Sequence, residues 1–175
     1  GCVVEKYEFR AEKPYAPIRV ERVNVSAAKK LLTAYAGKES EMTSVHNYAY
    51  YRAIFCCTQR ELSAIFSELA SVENDHFNIL ARLLYLLGYD PKLRVIHEGE
   101  PQFWNGSFLQ YRKEPCAVLK ELIEAEKGAQ RGYLKLSEEI PDRFVCAVLR
   151  RLAEDEACHV DLLEKQLKKR LAMKK

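Results

Sequence analysis

No cysteine in this sequence stands in a Cys-x-x-Cys pair, although there are six: Cys2, Cys56, Cys57, Cys116, Cys146 and Cys158. A tetrathiolate metal ribbon is therefore missing from these 175 residues. Scattered single thiols in a chain of this size suit a reducing compartment better than a disulfide scaffold. No apolar run approaches the 18 residues of a membrane span, and no basic start followed by an apolar stretch marks a leader. The expectation is a cytoplasmic protein that does not enter a membrane. A net charge of +3 is too small to argue for nucleic acid. The basic run Lys165-Gln166-Leu167-Lys168-Lys169-Arg170 reads as the solvated last turns of a helix, where cations suit the macrodipole.

Proline is scarce as well, and its six positions punctuate the chain. Pro14 and Pro17 fall in an irregular opening segment, residues 1–25, where Ile18 to Val23 permit a short extended piece. Asn24 and Ser26 are candidate caps for a helical pattern running to about Cys57, which Gly37 kinks or breaks. Thr58 and Glu61 form a capping box that predicts the start of a second helix, ended by Gly88 and Asp90-Pro91. Residues 89–114 keep no sustained period. A connection of that length in a compact domain usually has a task. Phe103 and Trp104 are expected to pin it down. Pro115 is expected in the first turn of a third helix reaching about Glu139, and Pro141 in the first turn of a fourth reaching about Leu171. The pattern predicts an all-α antiparallel four-helix bundle over residues 26–175, with one long crossover between helices two and three.

One short word occurs twice inside these helices. Glu73-Asn74-Asp75-His76 and Glu156-Ala157-Cys158-His159 are both Glu-x-x-His. Residues three apart share a helix face, so each word offers a carboxylate and an imidazole in one direction. Upstream of each copy lies a longer word: Glu41, a small residue three later and Tyr48; then Glu126, a small residue three later and Tyr133. Glu41 precedes Glu73 by 32 positions and Glu126 precedes Glu156 by 30. A single Glu-x-x-His is a common word, and its glutamate is usually solvated. Here the glutamates fall on the apolar side, Glu73 among Phe66, Leu69, Val72, Leu80 and Leu83, and Glu156 among Leu149, Leu152, Val160 and Leu163. A buried unpaired carboxylate is costly, so these need a cation or a partner.

These residues carry a resemblance. Across residues 26–170 the sequence resembles the ferritin-like di-metal carboxylate superfamily, and within it the rubrerythrin and manganese-catalase branches. The resemblance implies a ferritin-like bundle with two iron or two manganese ions. It gives one ion Glu41, Glu73 and His76 and the other Glu126, Glu156 and His159, with Glu73 and Glu156 bridging and Tyr48 and Tyr133 as catalytic groups beside them. Imidazole with carboxylates suits iron or manganese. The expected activity is that of an oxidoreductase acting on hydrogen peroxide or dioxygen, led by a rubrerythrin-like peroxidase without a rubredoxin domain of its own, fed by a separate electron-donor protein. A manganese catalase and an iron-handling ferroxidase are the alternatives. The expected assembly is a homo-oligomer, a dimer.

The sequence departs from the family pattern in places. Arginine, frequent before the motif histidine, is replaced by Asp75 and Cys158. Asp155, just before Glu156, could accept a hydrogen bond from a ligand histidine, whereas the matching place in the first half is Val72. His46, His97, Glu39 and Glu124 are read as lying off the site.

Overall fold

The structure, a computed structural model, describes residues 6–174. It is built from five α-helices: α1 (Val25–Ala36), α2 (Glu41–Phe55), α3 (Arg60–Leu86), α4 (Pro115–Glu139) and α5 (Arg143–Met173). The bundle consists of two antiparallel hairpins, α2 with α3 and α4 with α5, and α1 lies along α3, α2 and α4. Asn24 caps α1 by accepting from the Ala27 N–H.

The first helical stretch is divided. Gly37 ends α1 with its N–H on the Thr33 carbonyl, and a Cβ at Gly37 would lie 2.7 Å from that oxygen. Ser40 then caps α2 by accepting from the Thr43 N–H. The division shortens the bundle helix α2 to 15 residues, against 27, 25 and 31 for α3, α4 and α5. It also places Glu41 at the first position of α2, where the unpaired N–H groups favour a carboxylate.

Two expectations about boundaries need correcting. The Thr58 capping box does not form: α3 starts at Arg60 after Gln59, which makes no side-chain cap. Thr58 still belongs to the turn that closes α2, where the Gln59 N–H reaches back to the Phe55 carbonyl. Pro141 is not in the first turn of α5. Asp142 follows it and caps the helix by accepting from the Phe144 and Val145 N–H groups, which a proline cannot do. Pro115, by contrast, does occupy the first turn of α4, and Glu114 caps it.

The crossover is not wholly irregular. It holds an antiparallel hairpin, β1 (Arg94–His97) and β2 (Glu100–Phe103), joined by Glu98 and Gly99, both at positive φ. A two-residue turn with both φ positive matches the twist of the strands it joins. Trp104 fastens this segment through its indole N–H to Thr43 Oγ1 at 2.9 Å and its backbone N–H to the Leu93 carbonyl. Phe103 does not share that role, since it is 56% exposed. Residues 18–23 form no strand, and the chain bends at Glu21 and Arg22.

The core lies in two apolar clusters at opposite ends of the bundle. One joins α1 to Leu80, Leu83 and Leu84 of α3 and to Val145, Leu149 and Leu152 of α5. The other joins Tyr48, Tyr51 and Phe55 of α2 to Leu62 and Phe66, Leu119 and Leu163. The Glu-x-x-His words fall between them along α3 and α5. Among the described residues, no helix is long and apolar enough to cross a membrane.

Candidate metal centre

Six residues converge at mid-bundle: Glu41 from α2, Glu73 and His76 from α3, Glu126 from α4, and Glu156 and His159 from α5. All are between 0% and 3% exposed. The donor atoms form two groups, each with its members within 4.8 Å of one another: Glu41, Glu73, His76 and Glu156, then Glu73, Glu126, Glu156 and His159. Glu73 and Glu156 belong to both. Each group has one imidazole, one carboxylate of its own and the shared pair.

The imidazoles present Nδ1 inward. His76 Nδ1 lies 2.8 Å from Glu156 Oε1, 3.4 Å from Glu41 Oε1 and 3.5 Å from Glu73 Oε2. His159 Nδ1 lies 2.8 Å from Glu73 Oε1 and 3.5 Å from Glu126 Oε2. The two rings are nearly parallel, with centroids 6.2 Å apart. The outer nitrogens are engaged: His76 Nε2–H donates to Asp155 Oδ2 and His159 Nε2–H to the Phe9 carbonyl, both at 2.8 Å. A ring bonded from behind is fixed in orientation and tautomer, leaving its inner nitrogen as the donor.

The tyrosines cross the bundle. Tyr48 on α2 donates to Glu126 Oε1 on α4 at 2.6 Å, and Tyr133 on α4 donates to Glu41 Oε1 on α2. Burial first, and then the neighbouring carboxylates, push both phenols well above their ordinary range, so they remain donors. Each leaves its glutamate one oxygen toward the centre.

Those inner atoms are orphans. Glu41 Oε2, both oxygens of Glu73, Glu126 Oε2, Glu156 Oε1 and the two Nδ1 atoms are buried without a hydrogen-bond partner. A buried polar atom left unpaired costs roughly 1–3 kcal/mol. Seven converge on one volume, where cations between them would give each a partner. Four carboxylates match the charge of two divalent ions, and the mixed oxygen and imidazole set suits iron or manganese.

Without cations the proton affinities of the cluster are shifted apart. Burial and neighbouring carboxylates drive Glu41 and Glu156 well above the usual carboxyl range. Glu73 goes the other way. Burial opposes its charge, but the neighbouring Glu41, His159 and His76 groups outweigh it. Burial likewise opposes charge on the imidazoles. The acceptors around them prevail, Asp155 and Glu156 for His76 and Glu126 and Glu73 for His159, and hold both rings well above their usual range.

The surroundings include residues the sequence did not point to. A strap formed by residues 7–15 runs over the outer side of α3 and α5. Arg10 pairs with Asp75 at 2.6 Å, which occupies the place where arginine was expected. The Ala11 N–H and the Tyr15 hydroxyl donate to Asp155. Arg151, only 3% exposed, donates to Asp155, to the Lys13 carbonyl and to the Ala11 carbonyl. The Arg151 and Asp155 pair on the inner face of α5 was the one available signal; the carbonyl of Phe9 has none, because every residue carries one. Asp155 serves the histidine of the opposite half, His76, and not His159 on its own helix. Cys158 lies outside both donor groups, His46 and His97 are exposed, and so are Glu39 and Glu124.

The comparison with known families gives the same picture. The family model described as Rubrerythrin matches residues 29–167. The chain belongs to the rubrerythrin family. Among curated proteins, protein CotJC of Bacillus subtilis (strain 168) is 26% identical over 161 residues, covering 82% of this chain and 84% of that protein. Among solved structures, wild-type KatB, a manganese catalase from Anabaena, superposes with a TM-score of 0.79 at 19% identity, over 93% of this chain and 80% of that one. A second structure of KatB, from Anabaena PCC7120, gives 0.77 at the same identity. At that identity the likeness speaks for the fold, which is the ferritin-like bundle; this rubrerythrin-family chain carries a small hairpin in its crossover.

Proposed function

We propose that this chain is a dinuclear-metal oxidoreductase that consumes hydrogen peroxide, using two manganese or two iron ions held by Glu41, Glu73, His76, Glu126, Glu156 and His159. The observation that carries the reading is the set of seven orphaned inner atoms in residues no more than 3% exposed. A donor set so deeply enclosed selects a substrate of two-oxygen size. Two adjacent ions held by these residues would supply the electron pair that an O–O bond takes up on cleavage.

The protein's own part is to hold and exclude. Glu73 and Glu156, common to both donor groups, fix the spacing of the two positions. Tyr48 and Tyr133 each keep one oxygen of Glu126 and Glu41 engaged, so those carboxylates cannot swing to take both oxygens inward. Each phenol also keeps a proton at its oxygen beside the site, in a volume shut off from bulk water. The apolar clusters above and below lower the local dielectric, which strengthens every charge contact inside.

Within this class, disproportionation of peroxide is the better supported route. It needs passage of nothing larger than peroxide, water and dioxygen, and two solved structures alike in fold are described as a manganese catalase. A peroxidase drawing on a separate electron donor is the second reading, favoured by the family match. The test is reconstitution of the metal-free chain with Mn(II) or Fe(II), followed by oxygen evolution from peroxide alone and peroxide loss with a reductant. Oxygen release without reductant supports disproportionation. Turnover only with reductant supports the peroxidase. No bound ion, together with no change in affinity on Glu73→Ala, overturns the dinuclear reading.

A further inference from the structure

The two halves of the centre match in their inner donors and in their tyrosines but not in what stands behind the histidines. His76 Nε2–H faces the carboxylate of Asp155, which is itself 0% exposed and receives three further donors: the Ala11 N–H at 2.8 Å, Arg151 Nη1 at 2.5 Å and the Tyr15 hydroxyl. The pseudo-twofold relation between the halves carries Asp155 onto Val72, the residue before Glu73. Val72 is buried and apolar and offers His159 nothing to bond. The strap fills that place from outside the repeat, with the Phe9 carbonyl.

We propose that Asp155 and the strap that grips it are positioning elements which make the His76 position the tighter of the two, so that the first ion enters there and the second completes the pair at His159. This rests on the dinuclear reading above. A carboxylate behind an imidazole withdraws the Nε2 proton toward itself and enriches Nδ1, whereas a neutral carbonyl does so less. Partners of this kind are worth roughly 10–100-fold in metal affinity. The remaining differences between the halves are small: each position has one tyrosine-held glutamate and the same shared pair. The strap enters because Asp155 keeps its aim through it. Tyr15 and Ala11 pin both carboxylate oxygens, and Arg151, clamped by the Lys13 and Ala11 carbonyls, closes the ring from the helix side.

The test is anaerobic titration of the metal-free full chain with Mn(II), followed by calorimetry and by the electron paramagnetic resonance of unbound Mn(II), then repeated with Fe(II). Two equivalents of unequal affinity are expected, separated by about 10-fold or more. Asp155→Asn, which keeps the shape but not the charge, is expected to weaken the tighter equivalent by about 10–100-fold and the weaker one far less. Tyr15→Phe removes one bond to Asp155 and leaves the fold; it is expected to weaken the same equivalent by a smaller factor, and it decides the matter if Asp155→Asn does not fold. His76→Gln is expected to abolish the tighter equivalent and His159→Gln the weaker. Two equal equivalents in the parent chain, or variants that weaken both alike, overturn the inference and leave the dinuclear reading standing. A parent chain that takes up neither ion overturns both.

Discussion

Tyr48 and Glu126 are 78 residues apart in the chain and meet at 2.6 Å in the middle of the bundle, with Tyr48 bound to the glutamate of the opposite hairpin and not to Glu41 on its own helix. Tyr133 and Glu41 repeat the relation in reverse. The two hairpins are thus laced together at the level of the donors, and each half positions the carboxylate of the other.

Removing one lace should be selective. Tyr48→Phe keeps the ring, which packs against Phe66, and deletes only the hydroxyl. Glu126 Oε1 then joins the buried atoms without a partner, at a cost of about 1–3 kcal/mol to the metal-free fold. Two ions are expected to bind still, with peroxide turnover reduced. Urea unfolding, metal analysis and oxygen evolution on one preparation check this, and unchanged turnover would remove Tyr48 from the functional set.

The shared and unshared glutamates should differ. Glu73→Ala takes a donor from both groups and is expected to bring bound metal well below two equivalents. Glu41→Ala takes a donor from one group and is expected to leave about one equivalent firmly held. Metal-to-protein ratios after gel filtration distinguish them. Identical losses would argue against the sharing of Glu73.

In the metal-free chain, acidity should be protective over much of the accessible range. Glu41, Glu156, His76 and His159 all have folded pKa values raised above their ordinary 4.5 and 6.5. For such groups the folded state binds the extra protons, so their contribution is complete below the ordinary values and lost as pH rises through the raised ones. Glu73 and Asp155 are depressed and act oppositely; their contribution is lost only as pH falls through their lowered values, on the acid side. The melting temperature of the metal-free chain is therefore expected to fall as pH rises above the ordinary carboxyl and imidazole values. Metal requires deprotonated donors, so metal-loaded protein should show the reverse trend and release protons on loading. Differential scanning calorimetry of both forms is the measurement.

The break between α1 and α2 should matter to the centre. Gly37→Ala puts a methyl group 2.7 Å from the Thr33 carbonyl, which the backbone must move to accept. Overpacking of this kind costs about 1–3 kcal/mol. Because Glu41 begins the next helix, metal affinity is expected to drop along with stability. A stability loss with unaltered affinity would show that the two helices are uncoupled.

What the sequence revealed followed from helical periodicity. The Glu-x-x-His words could be read because i and i+3 share a face, and the tyrosine words because they repeat at the same offset. Which glutamate each tyrosine would serve was not readable, since that depends on how two hairpins face each other. The Thr58 capping box failed because capping competes locally, and the turn closing α2 had first claim on that residue. Phe103 was misjudged because a hairpin, set by Glu98 and Gly99, turns it outward while Trp104 faces in. The strap was invisible for a deeper reason: Phe9 and Ala11 act through main-chain atoms, which carry no residue identity.

The strap also imposes an order in time. Phe9 and Ala11 are made well before their partners His159 and Asp155, which lie 150 and 144 residues later. Arg10 can reach Asp75 once α3 has formed, but the outer nitrogens of both histidines are completed only after α5 has emerged and docked. Contacts of such long range are the slowest to form. Closure of the strap on Asp155 and His159 is thus a report that α5 is in place, and the outer bonds of both histidines wait on that docking.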